Sequence, residues 1–440
     1  MSVDVKDVGS KRPKWSTYQK YVIGLLLVVY TFNFIDRQII AILSPAIKAE
    51  LGLSDTQLGL LKGLPFAVFY AVFGFPIARL ADRKNRVTII SVAIALWSGM
   101  TVLCGAAQSY IQLLLARMGV GVGEAGCSPP AHSLISDYFP KSQRATALGL
   151  YSLGISFGTL FGILLGGLIA DAFGWRWAFV LVGLPGILLA ILVKLTLKEP
   201  VRGALDGLAK TAKVTDAAPP IIGSFKKMWD IKSFRVLCFS GALSAFCSFA
   251  LALWIVDFLF RSHGLTYANL TWPLAMVIGI GGGIGTVVGG YVADLWGRKD
   301  ESAYFTFIAV AYILSVPMFV WAIWAGTPAL CFGVFFLVFL LQNSVAGPSY
   351  ALVQNLAPIK LRAFAAALFL FILSVIGMGL GPLYIGILSD FWEPSMDEAD
   401  ALRWALTTLA PIWVIAGIIL FTARKALLTD LKANVIDTAE

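Results

Sequence analysis

Charged residues are scarce in this 440-residue sequence. Asp, Glu, Lys and Arg make up 13% of the chain and hydrophobic residues 58%, whereas water-soluble domains usually carry about 25% charged residues. Most of the chain therefore cannot face water, which excludes an assembly of soluble domains.

The patterns that hold metals, disulfides or nucleotides are missing as well. Two histidines, His132 and His263, are too few for a metal cage, and the five cysteines show neither CxxC spacing nor a disulfide framework. No GxxxxGK[ST] motif is present to bind ATP phosphates. We therefore expect no cofactor and no metal site. We find no nucleophile with a base that would provide the catalytic residues of an enzyme.

Long apolar segments dominate the sequence instead. A helix needs about 20 mainly apolar residues to cross a membrane, and twelve segments meet that requirement. They predict an all-α membrane protein whose twelve transmembrane helices cover residues 20–46, 56–80, 87–108, 111–136, 144–171, 175–196, 235–262, 268–296, 302–324, 328–355, 362–390 and 402–424.

Polar stretches divide the chain into regions. A tail at 1–19 precedes a six-helix bundle at 20–196, and a linker at 197–234 separates it from a second six-helix bundle at 235–424 and a tail at 425–440. The linker sequence SFKKMWDIKSF mixes lysines with aromatic residues, which predicts a short amphipathic helix on the membrane surface.

The chain has a net charge of +9, and its charged residues are divided unevenly between the loops on the two sides of the membrane. Lys and Arg concentrate in the loops on the side of the N-terminus, whereas the last loop on the opposite side is acidic, with Asp390, Glu393 and Asp397 among its residues. This is the positive-inside pattern, which predicts that both termini are cytoplasmic. It explains the basic balance without a nucleic-acid partner.

Two loop motifs occur twice. Residues 78–86 and 290–299 share the frame Ala-Asp, three residues, Arg, at an offset of 212, and residues 140–145 and 358–363 share Pro, three residues, Arg-Ala, at an offset of 218. Two pairs at nearly one offset indicate a duplicated unit of six helices, with the halves related by an axis along the membrane normal.

These loops resemble the signature loop of the major facilitator superfamily, GxLaDRxGR in general form. The second copy keeps Gly290 and Gly297, whereas the first has Ala78 and Asn85 in their places. Since Asn tolerates the left-handed conformation better than most residues, we expect the turn to survive. The resemblance implies the two-bundle fold of that family and transport by alternating access.

The loop charges are candidates for a cytoplasmic gate that breaks when the halves rock. The alternative is that the basic residues only anchor helix ends by the positive-inside rule. The gate candidates are Asp82, Arg83, Arg86, Asp294, Arg298, Arg144 and Arg362.

Four glycines are spaced four residues apart in the fifth segment: Gly154, Gly158, Gly162 and Gly166. Small residues on one face let membrane helices approach closely. We expect this face to pack at the interface between the halves.

Ionisable residues at membrane depth are costly and are therefore functional candidates. Asp36 and Arg37 lie in the first segment, and Arg117 and Glu124 lie on one face of the fourth. We expect Asp36 to pair with Arg117, while Arg37 turns toward a central cavity or Glu124. Two carboxylates beside competing guanidiniums suit proton coupling, with Asp36 and Glu124 as the proton sites. The alternative is a permanent ion-pair network that only fastens the two helices.

The Asp-Arg pair, the Arg-x-x-x-Gly-x-Gly-Glu pattern at 117–124 and the following AGCSPP resemble the Spinster-type branch of the superfamily in a bacterial version. That branch includes carriers of sphingosine phosphate and lysophospholipids. The resemblance implies proton-linked transport of amphipathic, lipid-like molecules across a bacterial inner membrane. It places Asp36, Arg37, Arg117 and Glu124 at functional positions, with Arg37 and Arg117 near the substrate headgroup.

Our leading hypothesis is a monomeric proton antiporter whose partners are a small amphipathic substrate and membrane lipids. A proton-coupled symporter for organic anions is the alternative within transport. A lipid-modifying membrane enzyme and a non-transporting receptor are alternatives of other classes, the enzyme disfavoured because no catalytic constellation is present. Asp257 is ambiguous, since it lies near the end of its segment. The candidates for lining a cavity are Asn33, Tyr70, Ser128, Trp254, Asn343 and Tyr350.

Overall fold

The computed structural model describes residues 15–202, 221–297, 302–358 and 361–437. Helices form nearly all of this part of the chain, and no strand occurs in it. Its α-helices are α1 (Thr17–Leu51), α2 (Asp55–Lys62), α3 (Leu64–Arg83), α4 (Arg86–Ala106), α5 (Tyr110–Glu124), α6 (Ser128–Tyr138), α7 (Lys141–Phe173), α8 (Trp175–Thr196), α9 (Ile221–Asp230), α10 (Lys232–His263), α11 (Tyr267–Ala275), α12 (Gly282–Gly297), α13 (Ala303–Ile323), α14 (Pro328–Ser344), α15 (Ala346–Leu356), α16 (Arg362–Leu373), α17 (Gly381–Trp392), α18 (Glu398–Thr407) and α19 (Leu409–Asp437).

Eleven helical stretches in the described ranges are long and apolar enough to cross a membrane. The remaining predicted segment, 111–136, consists of two shorter helices, α5 and α6, separated at residues 125–127. Pro129 and Pro130 in the first turn of α6 explain the break, because proline fits the start of a helix but disrupts its interior. The fourth crossing is therefore broken rather than continuous.

Corresponding turns in the two halves share a backbone conformation. Gly52 follows α1 with φ 62°, and Gly264 follows α10 with φ 60°, a region that favours glycine. Their separation of 212 residues equals that of Asp82 and Asp294 in the repeated loops. The turns thus support the duplication inferred from the sequence.

Two short π-helical segments interrupt the second half. Met276–Gly281 joins α11 to α12, and Ser374–Leu380 joins α16 to α17. The first contacts α7 and the second contacts α3, so both lie where the second half meets the first. π-helical turns of this kind often mark functional sites.

Within the described residues, the halves share a hydrophobic core at one end only. One core joins residues of the first half, such as Leu53, to residues of α10, α17 and α18, such as Trp254 and Ile385. A second core lies within the second half, from Met228 to Leu427. The principal helix contacts between the halves are α1 with α10, α2 with α17 and α7 with α11. Loop 52–54 lies at this sealed end, which the charge pattern predicts to be the outer face.

The glycine ladder of α7 does not lie at the interface between the halves, contrary to the prediction. A Cβ added at Gly154 would lie 2.8 Å from the Cβ of Tyr30, and one at Gly162 would lie 3.0 Å from the Cβ of Gln38. Both neighbours belong to α1. The ladder therefore packs two helices of the same half, which periodicity alone could not distinguish from packing across the halves.

The predicted amphipathic helix of the linker corresponds to α9 and the first turn of α10. In α9, Phe225, Lys226 and Lys227 are exposed while Met228 is fully buried. At the other end of the chain, α19 continues to Asp437, so most of the predicted tail at 425–440 is helical. Residues 1–14 and 203–220 of the predicted tail and linker lie outside the described residues.

Candidate functional site

The four charged residues predicted at membrane depth form one cluster, called the first-half cluster below: Asp36 and Arg37 on α1, and Arg117 and Glu124 on α5. Asp36, Arg117 and Glu124 are each at most 2% exposed. Glu124 is the last residue of α5, directly before the break that the two prolines impose. The broken fourth crossing thus places a carboxylate at a helix end inside the bundle.

Arg37 pairs with Glu124, one of the two positions predicted for it. Its Nε donates to Oε2 of Glu124, whose side chain is fully buried, while the side chain of Arg37 is 18% exposed. The guanidinium also faces aromatic rings, with its Cζ 4.9 Å from the centroids of Phe34 and Tyr70. Such contacts stabilise a cation at low solvent exposure. Arg37 is therefore the most accessible member of the cluster and lies in an aromatic frame.

Asp36 and Arg117 meet differently from the prediction. Arg117 donates to the backbone oxygen of Asp36 at 3.1 Å and forms no ion pair with its carboxylate within the described ranges. Oδ1 of Asp36, Oε1 of Glu124 and both amide atoms of Asn33 are buried without a hydrogen-bond partner in this part of the chain. Buried polar atoms normally have partners, so this region has capacity for a proton or a ligand group.

Within the described residues, the aspartates of the two repeated loops make no contact across the halves. Asp82 is exposed, and Asp294 accepts a hydrogen bond from Tyr304 of α13, in its own half, at 2.9 Å. Asn85 occupies the position of a glycine in the signature loop, which suggested a left-handed conformation. Its φ is instead −66°, and it caps the N-terminus of α4. Arg83 and Arg362 are exposed. Arg298 lies outside the described residues.

Two arginines of the predicted gate bond to elements of the first half. Buried Arg86 pairs with Asp137 at 2.5 Å and with Glu199 at 2.7 Å, which ties α4 to α6 and to the start of the linker. Arg144 donates to the backbone oxygens of Ser136 and Phe139. These contacts anchor helix ends, and the gating role stays a prediction.

The opposite end holds a charged network that the sequence interpretation missed. Asp55 of α2 accepts two hydrogen bonds from Arg261 of α10, at 2.6 and 2.7 Å, and one from Lys48 at 2.7 Å. The carboxylate of Asp390 in α17 accepts the backbone N–H groups of Asp55 and Thr56, both at 2.8 Å. The second half thereby caps the N-terminus of α2 and holds the two halves together at this end.

A second interhelical charge pair lies below that network. The side chains of Lys62 and Asp257 are both fully buried and form an ion pair between α2 and α10. Ser44 donates to Oδ2 of Asp257 at 2.7 Å, and the Lys62 ammonium lies 3.8 Å from the ring centroid of Trp254. Asp257 is thus buried between the halves, which resolves the ambiguity left by its position near the end of its segment. Trp254 is fully buried in the same seam and does not line an open cavity here.

The remaining cavity candidates are scattered. Ser128 and Asn343 are half-buried, and the Asn343 amide donates to the backbone oxygen of Phe339 on its own helix at 2.8 Å. Tyr350 is 42% exposed and packs edge-on against Phe369, with centroids 6.0 Å apart. Only Tyr70 of the six candidates is in contact with Arg37, while Asn33 is buried without a partner.

The sequence contains only a weak indication of the charge pair between Lys62 and Asp257. Lys62 follows six residues after the start of a predicted apolar segment, and lysines near helix ends commonly reach the interface, so it reads as a surface anchor. Asp257 is 195 residues away in the chain, and no local pattern connects the two. Only the orientation of α2 against α10 pairs them.

Comparisons with known proteins agree with this architecture. The model of the Major Facilitator Superfamily matches residues 26–382. An MFS-type efflux pump of Mycolicibacterium smegmatis is 31% identical over 97% of this chain and 96% of its own length, and the sphingosine-1-phosphate transporter SPNS2 of Danio rerio is 26% identical over 92% of this chain and 84% of its own. A solved bacterial homologue of the human lysosomal transporter Spinster, in an inward-facing and unoccupied conformation, superposes with a TM-score of 0.84 at 31% identity, covering 95% of this chain and 99% of that one. The chain belongs to the Major Facilitator Superfamily of membrane transporters and is similar to its Spinster-type members.

Proposed function

We propose that this transporter exports amphipathic, lipid-like molecules in exchange for protons, by alternating access. The first-half cluster carries the proposal, because it combines two buried carboxylates, each with an oxygen that lacks a partner, and one accessible guanidinium. Protons are the only coupling ion in this scheme, and the transporter acts as a monomer without a cofactor.

The charges of the cluster determine which substrates would exchange with protons. Its two carboxylates and two guanidiniums balance. An acidic group bound to Arg37 would displace Glu124, and the displaced carboxylate would then take up a proton in the same direction as the substrate. A positive group on the substrate would instead occupy the carboxylates and compete with protons. Antiport therefore favours amphiphiles whose headgroup includes a cationic group, and a purely acidic substrate would favour symport.

The direction of transport follows from sidedness. The positive-inside pattern predicts that both termini lie in the cytoplasm of a bacterial inner membrane, and hence that the end sealed by Asp55 and Arg261 is external. The likeness to an inward-facing homologue supports the same orientation. In this state the cluster accepts substrate from the cytoplasmic side.

Flux in proteoliposomes tests the proposal. We expect an inward proton gradient to drive export of a fluorescent lysophosphatidylcholine, and export to acidify the lumen that receives the protons, read by a pH-sensitive dye. Asp36→Asn and Glu124→Gln should abolish the dependence of flux on the gradient. Glu393→Gln, at an exposed carboxylate in the acidic outer loop, is the matched control and should behave as the parent. Proton movement in the direction of the lipid would establish symport instead, and flux without proton movement would refute coupling.

A further inference from the structure

We propose that Lys62 is a second site for the acidic group of the substrate, used when the outer side opens, and that Asp257 occupies this site while the outer side is closed. The inference rests on the proposed function, since it takes the cargo to be an amphiphile, here one that carries a phosphate or carboxylate. It assigns a binding role to a residue distant from the first-half cluster.

All the polar partners of Lys62 within the described residues belong to the other half of the molecule. Its ammonium donates to Asp257 and lies over the ring of Trp254, both on α10. The side chains of Lys62 and Asp257 are fully buried. A buried ammonium with partners on one neighbouring helix only is stable as long as that helix stays in place.

Opening the outer side would separate α2 from α10 and leave Lys62 without these partners. Asp257 would not be left alone, because Arg261 lies one turn further along α10 on the same face and would lose Asp55 at the same time. Asp55 keeps Lys48 of its own half. Of the cations described in this seam, the ammonium of Lys62 is the one that opening leaves unpaired.

An anion would stabilise the unpaired ammonium of Lys62 at this depth. Asp55 cannot easily serve, since it lies seven residues from Lys62, about 10 Å along α2, and already accepts Lys48. Phosphate and carboxylate groups bind lysine as a compact point charge. The apolar neighbours Leu58 and Leu61, buried in the closed state, would offer surface to an acyl chain.

Exchange of one anion for another gives the site a direction. Asp257 and the acidic headgroup would compete for one ammonium, so the outer side could close only after the headgroup has left. Closing would then prevent the released substrate from returning with the resetting carrier.

Equilibrium binding to a protein held open tests the proposal. In Gly386→Trp, the new side chain would collide with the backbone of Asp55 and wedge α2 from α17 without changing any charge. On this background, in nanodiscs, we would measure the affinity for lysophosphatidic acid and for uncharged monooleoylglycerol of equal chain length. Lys62→Gln should weaken binding of the acidic lipid by about tenfold or more, as expected for loss of a charged hydrogen bond, and change the uncharged lipid less than about twofold. Lys62→Arg should retain the preference.

The matched control is Arg403→Gln, which removes a positive charge at the same end, where Arg403 pairs with Asp400 of its own helix. It should leave both affinities unchanged. If Lys62→Gln fails to fold because Asp257 is left unpaired, the double variant Lys62→Gln/Asp257→Asn removes both charges and should show the same selective loss. Equal effects on the two lipids, no effect, or the same loss in the control would overturn the proposal. Because no proton gradient is applied, failure of proton coupling would leave this result untouched.

Discussion

At the scale of single residues, the pair between Arg37 and Glu124 makes a stability prediction. Arg37→Met leaves the Glu124 carboxylate buried without a positive partner, and removing one member of a buried pair costs about 3–5 kcal/mol. We expect a clear fall in the unfolding temperature of the purified transporter. The double variant Arg37→Met/Glu124→Gln should recover most of the loss, because it no longer buries an unpaired charge, yet it should not transport.

The control for these stability measurements is a variant that loses a positive charge outside the first-half cluster. Arg362→Met removes an exposed guanidinium and should leave the unfolding temperature nearly unchanged. A double variant no more stable than Arg37→Met would contradict the pairing that the structure gives.

The members of the cluster were predictable from sequence, but their partners were not. Asp36, Arg37, Arg117 and Glu124 stand out because they are charged residues within apolar segments, where burial is costly and therefore indicates a function. Which guanidinium meets which carboxylate depends on the rotation and tilt of α1 against α5, which residue spacing does not determine. Arg117 therefore reached the backbone of Asp36 rather than its carboxylate.

At the scale of helices, the contact between α2 and α17 depends on glycines. An added Cβ at Gly59 would lie 2.6 Å from the backbone oxygen of Pro382, and one at Gly386 would overlap the backbone of Asp55. We expect Gly386→Trp to force the outer side open. An introduced Ser44→Cys, fully buried in the closed seam, should then react with a membrane-impermeant thiol reagent from the outside much faster than in the parent.

The control is a glycine in open surroundings. A Cβ added at Gly333 of α14 meets nothing within 4 Å, so Gly333→Trp should leave the reaction of the new cysteine slow. The five native cysteines are buried and should react little. Equal rates in the two variants would show that the glycine contact does not hold the outer side shut.

Apolar runs predicted twelve crossings, of which eleven correspond to described helical stretches long enough to span a membrane, and most helix ends lie within a few residues of the prediction. The break at 125–127 was missed because apolar residues continue through it, even though two prolines follow at once. The glycine ladder correctly indicated that another helix packs closely against α7, but not which one. Close packing against α1 and close packing against a helix of the other half would both need small residues at these positions. Periodicity describes one face of a helix and not what covers it.

At the scale of the whole molecule, the sequence predicted two halves from repeated loops, and the structure adds that they are sealed at one end. That end contains Asp390, which the sequence analysis placed in an acidic loop, together with Lys48 and Arg261. The contacts of Arg261 and Asp390 with α2 arise only when the halves meet and would be lost in the alternative state. A single sequence specifies both states, so its local patterns do not reveal which charges are joined in one of them.

The network at Asp55 therefore makes a prediction about the balance between states. Asp55→Ala removes the acceptor of Arg261 and Ser389 in the other half at once, and each charged hydrogen bond contributes about 1.5–3 kcal/mol. A loss of that size moves a two-state equilibrium about tenfold or more toward the outward-open form. The variant should remain folded, since Asp390 still caps the N-terminus of α2 through backbone N–H groups.

Distances between spin labels would measure this shift. Labels at Gln108 and Gly326, in loops of the two halves at the end predicted to be external, should move apart in Asp55→Ala, while labels at Lys84 and Lys425 at the opposite end should approach each other. Asp400→Ala provides the control, because its partner Arg403 belongs to the same helix, so an equal negative charge is lost without unlinking the halves. If Asp400→Ala widened the outer distance as much as Asp55→Ala, general repulsion at the outer face would explain the opening, and the bridging carboxylate would have no special part in it.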